Sequence, residues 1–298
     1  MRDEDVRTSC FAALDVLRAQ FGEDLPYRGG LDRGFAFRGK RVPFLNVQKG
    51  IYRAAIQSGP AALSVQTSAK SPYDDMETDL GFLYAYRAGS VDQPDNRALR
   101  SARELATPLV YFIGSRPGTY RALYPTYVTQ DDEAGRRVLL TIGRMIGPID
   151  EPEPVLPADP IERRYAVREA KVRLHQARFR GVVLPAYSDR CAICQLKELR
   201  LLDAAHITAD SSLTGAATVS NGISLCTIHH RAFDQNLVGV SPDYEVRVSR
   251  RLLDEDDGPM LELLKQFDRG RLQVPRRTEH KPDRDRLADR FERFLAVS

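Results

Sequence analysis

The chain has 298 residues, 42% of them hydrophobic and 29% charged, with a formal net charge of +3. This length predicts about two domains, and the composition supplies enough apolar side chains for globular cores. No run approaches the roughly eighteen apolar residues of a membrane span, MRDEDVRTSC opens with acids rather than a secretory leader, and +3 is too small by itself to claim a nucleic-acid partner.

From the N-terminus, DVRTSCFAALDVLRAQFG carries apolar residues at helical spacing and stops at Gly22, which predicts an amphipathic helix with Cys10 buried on it. In YRGGLDRGFAFRGKRVPFLNVQKGIYR, glycines punctuate short aromatic and β-branched runs, the pattern of hairpins. The segment interleaves Arg28, Arg33, Arg38, Lys40, Arg41 and Lys49 with Tyr27, Phe35, Phe37 and Phe44. That mixture suits a nucleic-acid surface, and it equally suits strands whose aromatics face inward. Short β segments continue through ALSVQTS, GFLYAYRAG, TPLVYFIGS, ALYPTYVTQ and RRVLLTIG, predicting a mostly β barrel.

Within that barrel, SPYDDMETDLGFLYAYRAG, DNRALRSA and PLVYFIGSRPGTYRALYPTYV occur in an order that resembles the SRA (SET- and RING-associated) domain of the PUA-like superfamily, over roughly residues 35–130. The resemblance implies a DNA-binding module that flips a modified cytosine out of the duplex. A flipped pyrimidine needs aromatic plates for its two faces and matched donors and acceptors for its polar edge. On this resemblance Asp75 accepts from the cytosine N4 amine, Tyr84 and Tyr73 are the stacking plates, and residues 63–65 offer an apolar recess for a 5-methyl group. Read without it, Asp74 and Asp75 cap a turn and Tyr73, Tyr84 and Tyr86 belong to the core.

After Gly147, PIDEPEPVLPADP is acidic and proline-rich, which predicts an extended linker over residues 149–160 between a domain of residues 1–148 and a second of 161–298. IERRYAVREAKVRLHQARFRGVVLPAY then reads as a cationic helix, either tracking phosphates or simply solvated. Next come Cys191-x2-Cys194 and, at the same spacing, Cys226 and His229. Two such pairs can grip one ion from two tight turns, and a Cys3His set is the closed tetrahedral environment of a structural zinc. With three cysteines given to a metal and Cys10 unpaired, the cytoplasm is the expected compartment.

His206, Asn221 and His230 are not needed by that zinc. Through AAHI, NGISLC and HHRAFD, and a lead-in of the form QxxFRxxVLxAY, this region resembles the HNH, or ββα-metal, nucleases, and among them the McrA-like modification-dependent restriction endonucleases. Phosphodiester hydrolysis needs a base for the attacking water and a cation for the charge that develops on phosphate and leaving oxygen. The resemblance makes His206 the general base on a strand and Asn221 the residue that orients it and braces the loop. His230, opening a helix, would hold a catalytic divalent ion, Mg²⁺, Mn²⁺ or another, with Asp234 at i+4 as a second ligand. Many family members carry Asp just before the first His, where this chain has Ala205. Asp203 lies on the same side of the strand by alternation and is the candidate substitute.

NLVGVSPDYEVRVSRRLL predicts two further strands, and the tail two helices around a proline-bearing loop. The expected fold class is therefore α+β: a PUA/SRA-like barrel with flanking helices, linked to a zinc-stapled ββα-metal nuclease. The expected function is a modification-dependent endonuclease that captures 5-methylcytosine, or 5-hydroxymethylcytosine, in double-stranded DNA and cuts nearby. One such site cuts one strand at a time, so cutting both implies two active sites, in a homodimer or in two molecules meeting on one DNA. No phosphate-binding glycine motif is present, so no nucleotide cofactor is expected. Two alternatives stand beside this reading: a non-catalytic methylcytosine reader with the zinc module as scaffold, supported by Ala205, and an HNH nuclease whose PUA-like domain binds RNA.

Overall fold

A computed structural model describes residues 4–69, 77–78, 80–146, 153–208, 218–256 and 258–297. The chain divides into two compact units, Met1–Leu174 and His175–Ser298. The division falls inside a long helix rather than in the proline-rich stretch, part of which pairs as a strand.

In the first unit, α1 (Glu4–Phe21) is followed by β1 (Leu25–Pro26), β2 (Phe35–Phe37), β3 (Lys40–Val42), β4 (Ile51–Tyr52), β5 (Ser64–Thr67), β6 (Glu77–Thr78), β7 (Gly81–Ala85), α2 (Pro94–Glu104), β8 (Leu109–Arg116), β9 (Thr119–Asp132), β10 (Arg137–Ile142), β11 (Arg144–Ile146) and β12 (Glu153–Val155). The long helix α3 (Pro160–Ala186) begins here. Gly22 ends α1 as its sequence suggests: its φ of +79° is open to glycine, and its N–H closes on the Arg18 carbonyl at 2.8 Å. The β2–β3 hairpin turns through Arg38 and Gly39, both at positive φ.

The main sheet has eight strands in the order β4-β5-β8-β9-β10-β7-β6, with β1 added against β9. It curls as a half-barrel, and among the described residues its terminal strands β4 and β6 are two residues long and not paired with each other. The expected barrel is thus open, and β8 shows why. Leu109, Tyr111 and Ile113 face one core with Ala98, Leu99 and Ala102 of α2, while Val110 and Phe112 face another with Val6, Cys10, Phe11 and Leu14 of α1. A strand buried on both faces reads as a continuous apolar run and belongs to a layered sheet, whereas a barrel strand alternates between a filled interior and an outer face. Of the two readings of the cationic aromatic segment, the structure takes the inward one: Phe35, Phe37 and Phe44 are core, while Arg38, Lys40 and Arg41 are exposed. Among the described residues no helix is long and apolar enough to cross a membrane.

The second unit holds the end of α3, then β13 (Leu202–His206), β14 (Gly222–Cys226), α4 (Thr227–Asp234), β15 (Val238–Val240), β16 (Val246–Val248), α5 (Arg250–Leu253), α6 (Pro259–Lys265) and α7 (Arg284–Leu295). β13 and β14 pair antiparallel with His206 opposite Gly222 and Leu202 opposite Cys226. The core behind them gathers Phe179, Val183 and Leu184 of α3, Ala205, Ile223 and Leu225 of the hairpin, and Phe233 of α4. Gly222 lets α3 lie directly on β14: a Cβ there would fall 2.5 Å from Val183 Cγ2 and 2.8 Å from Phe179 Cζ. Gly222→Ala is expected to overpack this layer and cost about 1–3 kcal/mol, read as a lowered melting temperature of the second unit; an unchanged melt would show that α3 yields freely.

Candidate active site

The strand-to-helix junction at Cys226 builds the metal cluster. Cys226 ends β14 and is the N-cap of α4, so His229 follows within the first helical turn. The other pair lies on a knuckle tied to β14 by the Ala192 N–H on the Ser224 carbonyl at 2.7 Å. The ligand atoms of Cys191, Cys194, Cys226 and His229 all lie within 4.8 Å of one another. Cys194 Sγ is 3.9 Å from Cys226 Sγ, and His229 Nδ1 is 3.6 Å from Cys191 Sγ and 3.1 Å from Cys226 Sγ. Tetrahedral zinc would set edges of about 3.8 Å between sulfurs and about 3.5 Å between sulfur and nitrogen, so the donors fit such an ion. The opposite ring nitrogen, His229 Nε2, is 3.1 Å from the Leu263 carbonyl. A carbonyl only accepts, so Nε2 carries the proton and the Nδ1 lone pair faces the sulfurs. The hydrogen bond with Cys226 holds the Cys191 thiol down to about 3 against its burial, and the same partnership pushes Cys226 up. Three cysteine sulfurs and one imidazole nitrogen brought this close could hold a dication.

One residue beyond His229, the His230 ring is flanked by two carboxylates: Asp203 Oδ2 is 3.6 Å from Nδ1 and Asp234 Oδ2 is 3.4 Å from Nε2. The hydrogen bond with Asp203 raises the His230 pKa, burial lowers it, and the Asp234 charge raises it further; the net direction is up. Burial works to raise Asp203, but hydrogen bonds from His230 and the Ala204 N–H outweigh it and hold the acid below its ordinary value. Asp203, on β13, thus lies beside His230. Ala205, at the position where relatives carry Asp, is fully buried in the core. The two carboxylates address different nitrogens of one ring, so an ion bound at either nitrogen would be shared with the carboxylate on that side.

His206 is the last residue of β13, half-buried, with its ring stacked on Phe179 at 3.8 Å between centroids and 11° between planes. Asn221 is fully buried and clamps the chain just beyond: its Oδ1 accepts from the Thr208 N–H at 2.9 Å and its Nδ2 donates to the Thr208 carbonyl at 3.0 Å. Its own carbonyl accepts from the Ile207 N–H at 3.0 Å. Asn221 thus makes a pair of hydrogen bonds to the backbone two residues past His206.

Of the expected base-reading residues, Tyr73 and Asp75 lie outside the described residues. Tyr84 packs edge-on against Tyr111 at 6.0 Å, and its hydroxyl donates to the Gln66 carbonyl at 3.2 Å. Two residues of the nuclease site were not singled out from the sequence. Phe179 was visible only as a letter of the lead-in pattern. Arg290, on α7, lays its guanidinium over the Phe233 ring at 4.6 Å and donates to the Phe233 carbonyl at 2.8 Å, beside Asp234. Nothing in the local sequence distinguishes it from other surface arginines.

Residues 191–241 match a family model described as HNH endonuclease. The matched segment holds both metal-ligand pairs, β13, β14 and α4, so the chain carries an HNH-type DNA endonuclease domain. A solved structure titled "Modification dependent TagI restriction endonuclease" is similar over 83% of this chain and 86% of its own, at 18% identity and a TM-score of 0.34. That superposition is too low to carry an argument about this chain. No curated protein was found to match.

Proposed function

We propose that the protein is a modification-dependent DNA endonuclease of restriction type, in which the first unit recognises a modified cytosine and the HNH site of the second hydrolyses a nearby phosphodiester bond. The observation that carries the nuclease half is the Asp203–His230–Asp234 group set on the seam of β13 and α4, one residue from the Cys3His cluster. In this reading Cys191, Cys194, Cys226 and His229 hold a structural zinc. His230, with Asp203 and Asp234, holds a divalent ion such as Mg²⁺ or Mn²⁺, whose chemistry is to stabilise charge on the phosphate and the leaving oxygen. Oxygen and imidazole donors suit such a hard or borderline cation. His206 takes the proton of the attacking water, and Asn221 fixes the backbone from which that imidazole projects.

The recognition half rests on the SRA-like order of segments, with Tyr73, Asp75 and Tyr84 as its base-reading residues and 5-methylcytosine or 5-hydroxymethylcytosine in duplex DNA as the ligand. Cutting both strands then takes two copies of the chain. Matched plasmids, one unmodified and one carrying 5-methylcytosine, test both halves at once with Mg²⁺, Mn²⁺ or EDTA. Cleavage confined to the modified plasmid and abolished by EDTA is expected. Equal cutting of both plasmids would remove the recognition half, and binding without cutting under any metal would leave a reader.

A further inference from the structure

We infer that Phe179 is a positioning residue for His206: its ring sets the plane and place of the imidazole that takes the proton. The inference rests on the proposed role of His206 as base, and it brings into the site a helix outside the segment 191–241 that matches the family.

The two rings lie face to face, 3.8 Å between centroids and 11° from parallel. A histidine ring turns broadly about its last side-chain bond, so an imidazole at a strand end needs a neighbour to fix its plane. Phe179 can serve because it is itself immobilised. It is 2% exposed, and its far edge presses on Gly222, the residue paired with His206, where even a methyl group would come within 2.8 Å of Cζ. The surrounding helix is pinned to both strands. Arg180 donates to the Leu202 carbonyl at 3.2 Å and to the Leu199 carbonyl at 2.6 Å, and the Tyr187 hydroxyl donates to the Gly222 carbonyl at 3.1 Å. The chain from ring to helix to hairpin is therefore closed, and the imidazole plane is registered against the backbone that carries it. A general base acts only within hydrogen-bond reach of the proton it removes, and a misplacement near 1 Å costs roughly 10²-fold in rate.

The test is single-turnover cleavage by the whole chain. Phe179→Leu removes the plate and keeps an apolar side chain; Val183→Ala thins the same packing layer on Gly222. With zinc content and melting confirmed, Phe179→Leu is expected to slow the saturating single-turnover rate by about 10- to 100-fold at an unchanged half-saturating DNA concentration, and Val183→Ala to slow it far less. In a His206→Ala background, Phe179→Leu should add nothing, because it acts through a ring no longer present. Equal losses in the two packing variants, or a full additive loss beside His206→Ala, would overturn the inference. Should Phe179→Leu fail to fold, Phe179→Met takes its place, and the ring-current shift of the His206 imidazole protons, expected to collapse on loss of the plate, reads the stack without any turnover. His206→Ala cutting at the normal rate would instead remove the base assignment itself, and the inference with it.

Discussion

Stripping the metal from Cys191, Cys194, Cys226 and His229, or replacing Cys191 by Ser, is expected to unfold the second unit and leave the first folded. Among the described residues the sheets of the second unit are two-stranded, and an isolated two-stranded sheet is marginal in water. Its core also runs through the ligands themselves: Cys191 is fully buried and Cys226 nearly so, in the same cluster as Ala205, Ile223 and Phe233. An ion at such a site contributes about 10–16 kcal/mol of apparent binding energy in small modules, comparable with or larger than the whole stability of a domain. Without it, the buried Cys191 and Cys226 lose the ion that would draw them together, and Cys191→Ser puts a hydroxyl where a sulfur donor stood. Metal analysis should find about one zinc per chain in this cluster. Calorimetry should show two transitions, of which chelation removes one, and cleavage should return with added zinc but not with added Mg²⁺ alone. A verified metal-free protein that keeps both transitions would show that the hairpins and α3 hold the unit by packing alone.

How much of this was legible in the sequence depended on how local each cause is. The paired spacing of Cys191, Cys194, Cys226 and His229 announces a metal because ligand geometry is set within a turn or two of chain. The helix ending at Gly22 followed from spacing and a glycine. What could not be read were facts that arise between elements. Tyr84 is a strong β residue on any reading, and only the sheet's register delivers it against Tyr111. The burial of β8 on both faces depends on α1 and α2, which end at Phe21 and begin at Pro94, coming to opposite sides of it. Arg290 reaches α4 only because α7 packs against β15, with a Gly239 Cβ position 2.5 Å from Phe294. The place of compaction at Leu174 and His175 likewise reflects which core each turn of α3 joins, whereas proline and acid content mark only where a chain is stiff and solvated.

Replacing His206 by Ala is expected to lower the rate of cleavage by roughly 10²- to 10⁴-fold, the usual contribution of a positioned general base, while zinc content, fold and DNA affinity are retained. The side chain ends β13 rather than filling the centre of the core, and its stacked partner Phe179 stays held by Gly222 and Val183. The informative comparison is with His230→Ala. That change removes a donor from the ion site and leaves Asp203 and Asp234 as carboxylates, so its deficit should shrink as Mn²⁺ is raised. The deficit of His206→Ala should not, because no concentration of cation supplies the missing proton acceptor. A His206→Ala enzyme restored by excess metal would make His206 a ligand, move the ion toward the end of β13, and leave the water to be activated by metal coordination alone.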